Sequence, residues 1–171
     1  TNILSETVAE NMKEYLRMYK MVNDFVEIKS GKIINVAFKI TVYIDKTYDK
    51  AEVVQRIINK VYDYMDIRRH QMGEDIYLGD LQKEITKLDG VIQFVSMICE
   101  NKYGDEYSED ITMQETIDPN SPCFSDNEET IDETSKVIDL NASDYILFSE
   151  ANSMHEIKNK NKDIIVITKV R

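Results

Sequence analysis

Residues 33–44 read Ile-Ile-Asn-Val-Ala-Phe-Lys-Ile-Thr-Val-Tyr-Ile, and this stretch decides the fold. Large apolar residues occupy every second position, namely Ile34, Val36, Phe38, Ile40, Val42 and Ile44. The positions between them hold Asn35, Lys39, Thr41 and Tyr43. Successive side chains of a strand point to opposite faces of a sheet, so this alternation predicts a half-buried strand that begins after the turn at Ser30-Gly31.

A long amphipathic helix is predicted directly after this strand. Asp49 and Glu52 have the spacing of a capping box, with Asp in place of Ser or Thr, and they open a helix that ends near Met65. Its apolar stripe is wide enough to cover one face of a sheet. The stripe comprises Val53, Val54, Ile57, Ile58, Val61, Tyr62 and Met65.

The elements that follow are shorter. Residues 76–78 are expected to be extended, and residues 80–88 form a second helix that ends before Gly90, where a left-handed cap is favourable. Residues 91–99 are the next predicted strand. This order predicts an α+β core over residues 31–104, a small sheet with two helices packed on one face.

The chain before the core has a helical pattern of its own. Apolar residues recur at spacings of three and four over residues 5–22, namely Val8, Met12, Tyr15, Tyr19 and Val22, with Leu16 beside them. This predicts an amphipathic helix with Ser5 as its cap. Residues 1–30 are therefore assigned as an N-terminal linker helix. Since the sequence opens on Thr1, we expect the chain to be a piece of a longer protein.

The negative charge is confined to one segment. The whole chain has a net charge of -11, and residues 105–144 alone hold thirteen acidic residues and one basic residue, Lys136. This segment is poor in apolar residues and contains both prolines, which predicts an irregular loop or a segment ordered only against a partner. Residues 145–171 then return to β-like runs at 145–148 and 164–170, predicting a β-hairpin or a strand that joins the core.

Charge and composition exclude several classes of protein. A phosphate-backbone binder needs clustered Lys and Arg, so neither nucleic acid nor an anionic membrane is an expected partner. Since no apolar run approaches the roughly 20 residues that span a bilayer, we expect a soluble protein. The two cysteines, Cys99 and Cys123, are expected to be unpaired thiols in a reducing compartment, Cys99 in the core.

No catalytic, cofactor-binding or metal-binding residues are assigned. His70 and His155 stand alone in loop-like contexts, so solvent-facing or capping roles are expected. The five glycines are scattered, which excludes a phosphate-binding loop. Two acidic sets imitate a calcium loop but lack its central glycine. These sets are Asp118, Asn120 and Asp126, and Asp126, Glu128 and Asp132.

Ten tyrosines leave a choice between edge packing and an interface. Tyr15, Tyr19 and Tyr62 are predicted on the core faces of helices. The others that are hard to place inside fit either ordinary surface packing or a protein interface, where tyrosine is enriched. They are Tyr43, Tyr48, Tyr64, Tyr77, Tyr103 and Tyr107.

One family resemblance extends over much of the chain. It is carried by Met21-Val22-Asn23-Asp24-Phe25-Val26-Glu27-Ile28-Lys29-Ser30-Gly31-Lys32-Ile33-Ile34-Asn35-Val36 and the strand to Ile44, the helix Glu52 to Met65, Asp66-Ile67, Gln71, Ile76-Tyr77-Leu78, Asp80-Leu81 and Leu88-Asp89-Gly90-Val91. His155-Glu156-Ile157-Lys158 with Asp163-Ile164 adds a weaker match. Together they resemble the C-terminal region of the baseplate wedge proteins of T4-like contractile-tailed phages, in the baseplate J-like family. Residues 105–144 have no family pattern.

The resemblance implies a structural role. Such wedge proteins build the ring of a phage tail baseplate without catalysis or cofactors, and they pair with copies of themselves and with neighbouring wedge and sheath-initiating proteins. The implied location is the virion tail baseplate, assembled in the host cytoplasm.

Two other functions remain open from the residues alone. The first is a small acidic binding domain that docks a basic partner through residues 105–144, an association that would weaken steeply with salt. The second is a hydrolase that uses carboxylates of the same segment. It is the weakest, because an irregular loop does not hold two carboxylates in fixed geometry.

Overall fold

A computed structural model describes residues 4–117 and 135–170. Its elements, in chain order, are α1 (Glu6–Arg17), β1 (Lys32–Ile44), α2 (Lys50–Tyr64), β2 (Ile76–Tyr77), α3 (Leu78–Thr86), β3 (Val91–Lys102), β4 (Thr116–Ile117), β5 (Ser135–Ile138), β6 (Ile146–Leu147), β7 (Ser153–Glu156), α4 (Lys160–Asp163) and β8 (Ile164–Val170). The α+β class predicted from the sequence is confirmed.

Strand β1 lies at the centre of the main sheet. Its alternating apolar residues, from Ile34 to Ile44, are all at most 1% exposed, which confirms the predicted buried face. β3 pairs with one side of β1 in antiparallel register, and β7 and then β8 pair with its other side in parallel register. Phe38 therefore lies between Cys99 of β3 and Ile164 of β8.

Helices α2 and α3 cover one face of this sheet. α2 buries Val53, Ile57 and Val61, and α3 buries Leu78, Leu81 and Ile85. The predicted cap of α2 is confirmed, because the Asp49 carboxylate accepts a hydrogen bond of 3.2 Å from the Glu52 backbone N–H. α3 begins two residues earlier than predicted, since Ile76 and Tyr77 pair with β6 and the helix starts directly after them.

The prediction of residues 105–144 as wholly irregular was wrong for the described residues at its two ends. β5 pairs antiparallel with the end of β3, and the short β4 pairs with β5, so the main sheet runs β4-β5-β3-β1-β7 with β8 also on β1. Val137, Ile138 and Leu140 are at most 4% exposed. These buried apolar side chains in and just after β5 allow it to join the sheet despite the acidic composition around them.

The C-terminal residues form strands of the core, and the hairpin alternative was wrong. β7 and β8 both run parallel to β1, whereas β6 pairs with β2 in a separate two-stranded sheet. The other alternative, a strand that joins the core, is confirmed by β8. β7 was not predicted, because Ser-Met-His-Glu has little β propensity without its partner.

α1 is helical as predicted, and none of its residues is buried. Ser5 occupies the N-cap position, but its side chain makes no capping hydrogen bond. Of the helices formed by the described residues, none is long and apolar enough to cross a membrane.

Gly90 provides a sharp test of the connection between α3 and β3. Its φ of +91° lies in the left-handed region, and a Cβ there would stand 2.7 Å from Val53 Cγ2 and 3.0 Å from Tyr48 Cγ. We expect Gly90→Ala to lower the free energy of unfolding by about 2 kcal/mol, because it combines backbone strain with a collision in the core.

Gly79→Ala is the matched control for this test, since a Cβ at Gly79 meets nothing within 4 Å. Within α3 this change should be neutral or stabilise by up to about 1 kcal/mol. Urea unfolding followed by circular dichroism measures both variants. Equal losses at the two glycines would contradict the steric argument.

Candidate functional site

Many of the exposed large apolar side chains among the described residues lie on α1 and the residues that follow it. Val8 and Met12 are each 46% exposed, Tyr15 is 59% exposed and Tyr19 is 69% exposed. Further along, Met18, Met21, Val22 and Phe25 are between 73% and 100% exposed. Such a concentration of large apolar side chains at the surface is typical of an interaction site.

The exposed apolar side chains of α1, together with Tyr19 two residues after its end, form one stripe. Tyr15 and Tyr19 lie one turn apart with ring centroids separated by 5.3 Å and hydroxyl oxygens by 3.4 Å. The charged residues point elsewhere, and Glu14 and Arg17 form an exposed ion pair of 3.5 Å within the helix. The prediction that Tyr15 and Tyr19 pack in a core was therefore wrong, and Tyr62 is also 38% exposed.

α1 is tied to the domain at its first residues. The Leu4 backbone N–H donates to Ser30 Oγ at 2.8 Å, which brings the start of the helix close to the start of β1. Between them, Asp24 closes a local turn by accepting from the Met21 N–H at 2.9 Å. The helix is thus attached next to the sheet, while its apolar stripe stays exposed.

A second surface is the groove between α2 and α3, with a volume of about 730 Å³. Glu84 accepts hydrogen bonds from both Lys60 and Lys87 at 3.1 Å, and Lys83 pairs with Asp80 at 2.8 Å. The two lysines lower the pKa of Glu84. Five basic side chains outnumber three carboxylates along this groove, and the carboxylates Asp80 and Glu84 are paired with lysines within it. Its described lining holds no nucleophile paired with a base, so we assign it as a polar helix surface.

His155 is the site residue that the sequence placed wrongly, because it is buried in β7 and 2% exposed. Its Nδ1 lies 3.1 Å from Ser149 Oγ, a hydroxyl that donates to the Glu74 carbonyl. This arrangement places the proton on Nδ1 and leaves Nε2 as an acceptor, which has no hydrogen-bond partner among the described residues. Burial lowers the pKa of His155 to about 4, Asp75 opposes this shift, and His70 adds to it.

His70 has the capping role that was one of its two expected roles. Its Nε2 donates to the Tyr64 carbonyl, at the C-terminus of α2, over 2.8 Å. Its Nδ1 lies 4.0 Å from a carboxylate oxygen of Glu74. His70 therefore ties the loop after α2 to the end of that helix, and His155 in β7 reaches the same loop through Ser149 and the Glu74 carbonyl.

The described acidic residues contact the lysines near the C-terminus. Glu106 forms an ion pair with Lys162, and the Tyr107 ring lies within 5.9 Å of the ammonium groups of Lys158 and Lys162. The Tyr107 hydroxyl donates to the buried Asp163 carboxylate at 2.5 Å. Part of the negative charge at the start of the acidic segment is thus paired with lysines of the same domain.

Tyr107→Phe tests this attachment. Removing the hydroxyl takes a charge-assisted hydrogen bond from Asp163, which is 1% exposed, and we expect a loss of about 1.5 kcal/mol in the free energy of unfolding. Tyr77→Phe is the control, because that side chain is 55% exposed. Chemical denaturation measures both, and a Tyr107→Phe variant as stable as the control would contradict the prediction.

The described residues contain no group of three or more His, Cys, Asp or Glu able to hold a metal ion. Cys99 is fully buried as expected, and burial raises the pKa of its thiol, which disfavours the reactive thiolate. Cys123 and both acidic sets considered for calcium (Asp118, Asn120, Asp126, Glu128 and Asp132) lie outside the described residues. The exposed stripe of α1 therefore remains as the candidate functional site.

No protein family matches this chain, and no curated protein matches it either.

Proposed function

We propose that this chain is the C-terminal assembly module of a baseplate wedge protein from a contractile phage tail. It acts by forming protein–protein interfaces with copies of itself and with other wedge or sheath-initiating proteins in the virion, without catalysis. The observation that carries the proposal is the exposed apolar stripe of α1 and the residues after it, from Val8 to Phe25. The resemblance of residues 21–91 to wedge proteins supplies the class of assembly.

The physical reason is the free energy that such a surface releases on burial. Interfaces are held by a few aromatic and large apolar side chains that become buried at their centre. Tyr15, Tyr19 and Phe25 are side chains of this kind, and each is more than half exposed. Residues 1–104, which include this stripe, are nearly neutral overall, and this suits close contact with sister subunits better than a uniformly acidic surface.

The alternative of a basic partner docked by residues 105–144 has less support. In the described part of that segment Glu106 is already paired with Lys162, and Tyr107 lies against two lysines. We therefore keep the assembly module as the proposed function.

Antibody labelling tests the proposed function. Gold-labelled antibodies raised against the purified chain, applied to particles of the phage that encodes it, should mark the baseplate end of the tail in negative-stain images. Antibodies first adsorbed with the purified chain are the control and should mark nothing. Labelling of the head or sheath alone would overturn the proposal, and so would failure to label opened particles.

A further inference from the structure

The apolar stripe of α1 has the spacing of a helix that pairs with another helix. Val8, Met12, Tyr15 and Tyr19 follow one another at intervals of four, three and four residues. This is the alternation of positions a and d in a coiled coil, over four consecutive seam positions. Tyr19 lies two residues after the end of α1, in the turn that continues it, where its ring contacts that of Tyr15. The charged residues of the helix fall outside this seam, at Glu6, Glu10, Lys13, Glu14 and Arg17.

The helix also needs a partner to be stable. A helix of 12 residues is marginal in water on its own, because nucleation is unfavourable and few hydrogen bonds follow it. α1 buries none of its residues against the described part of the chain. Most helical stability in proteins comes from packing of the apolar face, so a partner on this stripe would stabilise the helix itself.

Charge along the helix favours a second copy in antiparallel orientation. Residues 6–14 carry three acidic groups and one basic group, whereas residues 15–20 carry two basic groups, Arg17 and Lys20. Antiparallel pairing places the acidic end of each copy beside the basic end of the other, and it also opposes the two helix dipoles. Parallel pairing would place like charges side by side.

One register satisfies the apolar seam and the charges together. With Met12 of one copy opposite Tyr15 of the other, Val8 falls opposite Tyr19, so every layer combines a position a with a position d. The same register places Glu10 level with Arg17, and Lys13 level with Glu14, on the other copy. At these outer positions the charges act over longer distances, so they select the orientation more than the affinity.

We propose that α1 pairs in antiparallel orientation with α1 of a second copy of this chain, in the register that places Met12 opposite Tyr15. This deepens the proposed function by naming one partner of the assembly module, and it rests on that function for its role in the virion. The paired helices are only about 18 Å long at 1.5 Å per residue. A contact this short gives a weak dimer in solution, which other contacts between subunits in a ring would reinforce.

Disulfide trapping tests the orientation in the full chain. Val8→Cys and Tyr19→Cys are prepared as separate variants, each with Cys123→Ser to remove a second reactive thiol, and are oxidised alone and mixed. In the proposed register Val8 of one copy is opposite Tyr19 of the other. Two copies of either single residue lie about 16 Å apart along the axis, too far for a disulfide.

We expect at least tenfold more covalent dimer from the mixture than from either variant alone. Covalent dimer from Val8→Cys alone would indicate parallel helices and overturn the proposal. Absence of a dimer in all three samples would overturn it as well.

A matched pair of substitutions tests the seam without cysteines. Met12→Gln places an amide at the centre of the seam. Lys13→Gln introduces the same side chain at the next residue, on the outer surface of the helix. Sedimentation equilibrium of the full chain at high protein concentration should show dimerisation weakened at least tenfold by the first change and less than threefold by the second. Equal effects would overturn the proposal.

These results are separable from the proposed function. A chain that stays monomeric in every sample overturns the helix pairing even if antibodies mark the baseplate. Conversely, a trapped antiparallel dimer from a chain that is absent from the baseplate leaves the pairing in place and overturns the assembly role.

Discussion

Asn101→Ala should lower the free energy of unfolding by about 3 kcal/mol. Asn101 is 0% exposed, and its side chain holds three backbone groups. Oδ1 accepts from the Thr112 N–H at 2.9 Å, and Nδ2 donates to the carbonyls of Asn35 at 3.0 Å and Lys102 at 3.3 Å. Truncation leaves a buried donor and buried acceptors without partners, which costs about 1–3 kcal/mol for each unsatisfied group.

The loss of stability should also be visible locally, around residues 108–112. Asn101 acts with Asn35, whose Oδ1 accepts from the Ser108 N–H at 2.7 Å, so the two amides hold residues 108–112 against the ends of β1 and β3. Hydrogen exchange should show lost protection at Thr112 in Asn101→Ala, in addition to the lower global stability.

Asn59→Ala is the control for this prediction. Asn59 is exposed on α2, where its side-chain Oδ1 accepts from Gln55 Nε2 at 3.1 Å, and alanine is the better helix former. We expect its stability to change by less than about 0.5 kcal/mol. Urea unfolding curves measure both variants, and similar curves for the two would contradict a special role for Asn101.

Local patterns were sufficient to predict the elements that carry the core. β1, α2, α3 and β3 each show an apolar period that belongs to one type of element, and Asp49 caps α2 as predicted. Gly90 has the predicted left-handed conformation, but it directly precedes β3, and the cap of α3 is Lys87. The apolar stripe of α1 was equally visible. The exposure of this stripe could not be predicted, because periodicity shows that a face is apolar without showing what covers it.

The elements and site residues that were missed depend on distant partners. β5 and β7 are four residues long and become strands only beside β3 and β1. Asn35 was placed on the solvent side of β1, yet it is 2% exposed because residues near Ser108 cover that end of the sheet. No signal in residues 30–40 could indicate this contact, which spans more than seventy positions.

His155 was misplaced for the same reason, and its burial has a measurable consequence. The ring is neutral in the folded protein at pH 7, because burial lowers its pKa from 6.5 to about 4. In the unfolded chain the histidine titrates near 6.5. A group whose folded pKa is lowered contributes stability above the unfolded pKa, and this contribution is lost as pH falls from about 6.5 toward about 4.

The expected size of this pH effect follows from the one proton that His155 binds on unfolding. Each pH unit in this window corresponds to 1.36 kcal/mol, so the free energy of unfolding should fall by about 2 kcal/mol between pH 6.5 and pH 5, and by about 3 kcal/mol at pH 4. The charged and titratable groups that act on the ring are Asp75 and His70. Carboxylates with lowered pKa values, such as Asp66 at about 2, lose their contribution mainly below this window.

His155→Asn separates this titration from the others. Asparagine retains an amide that can donate to Ser149 Oγ, and it does not titrate. Although the variant starts from lower stability at pH 7, its unfolding free energy should decline by at least 1 kcal/mol less than that of the wild type between pH 6.5 and pH 5. Urea unfolding at half-unit pH steps measures both slopes. Parallel profiles would mean that a protonated imidazole is tolerated at this position, and would contradict the neutral buried ring.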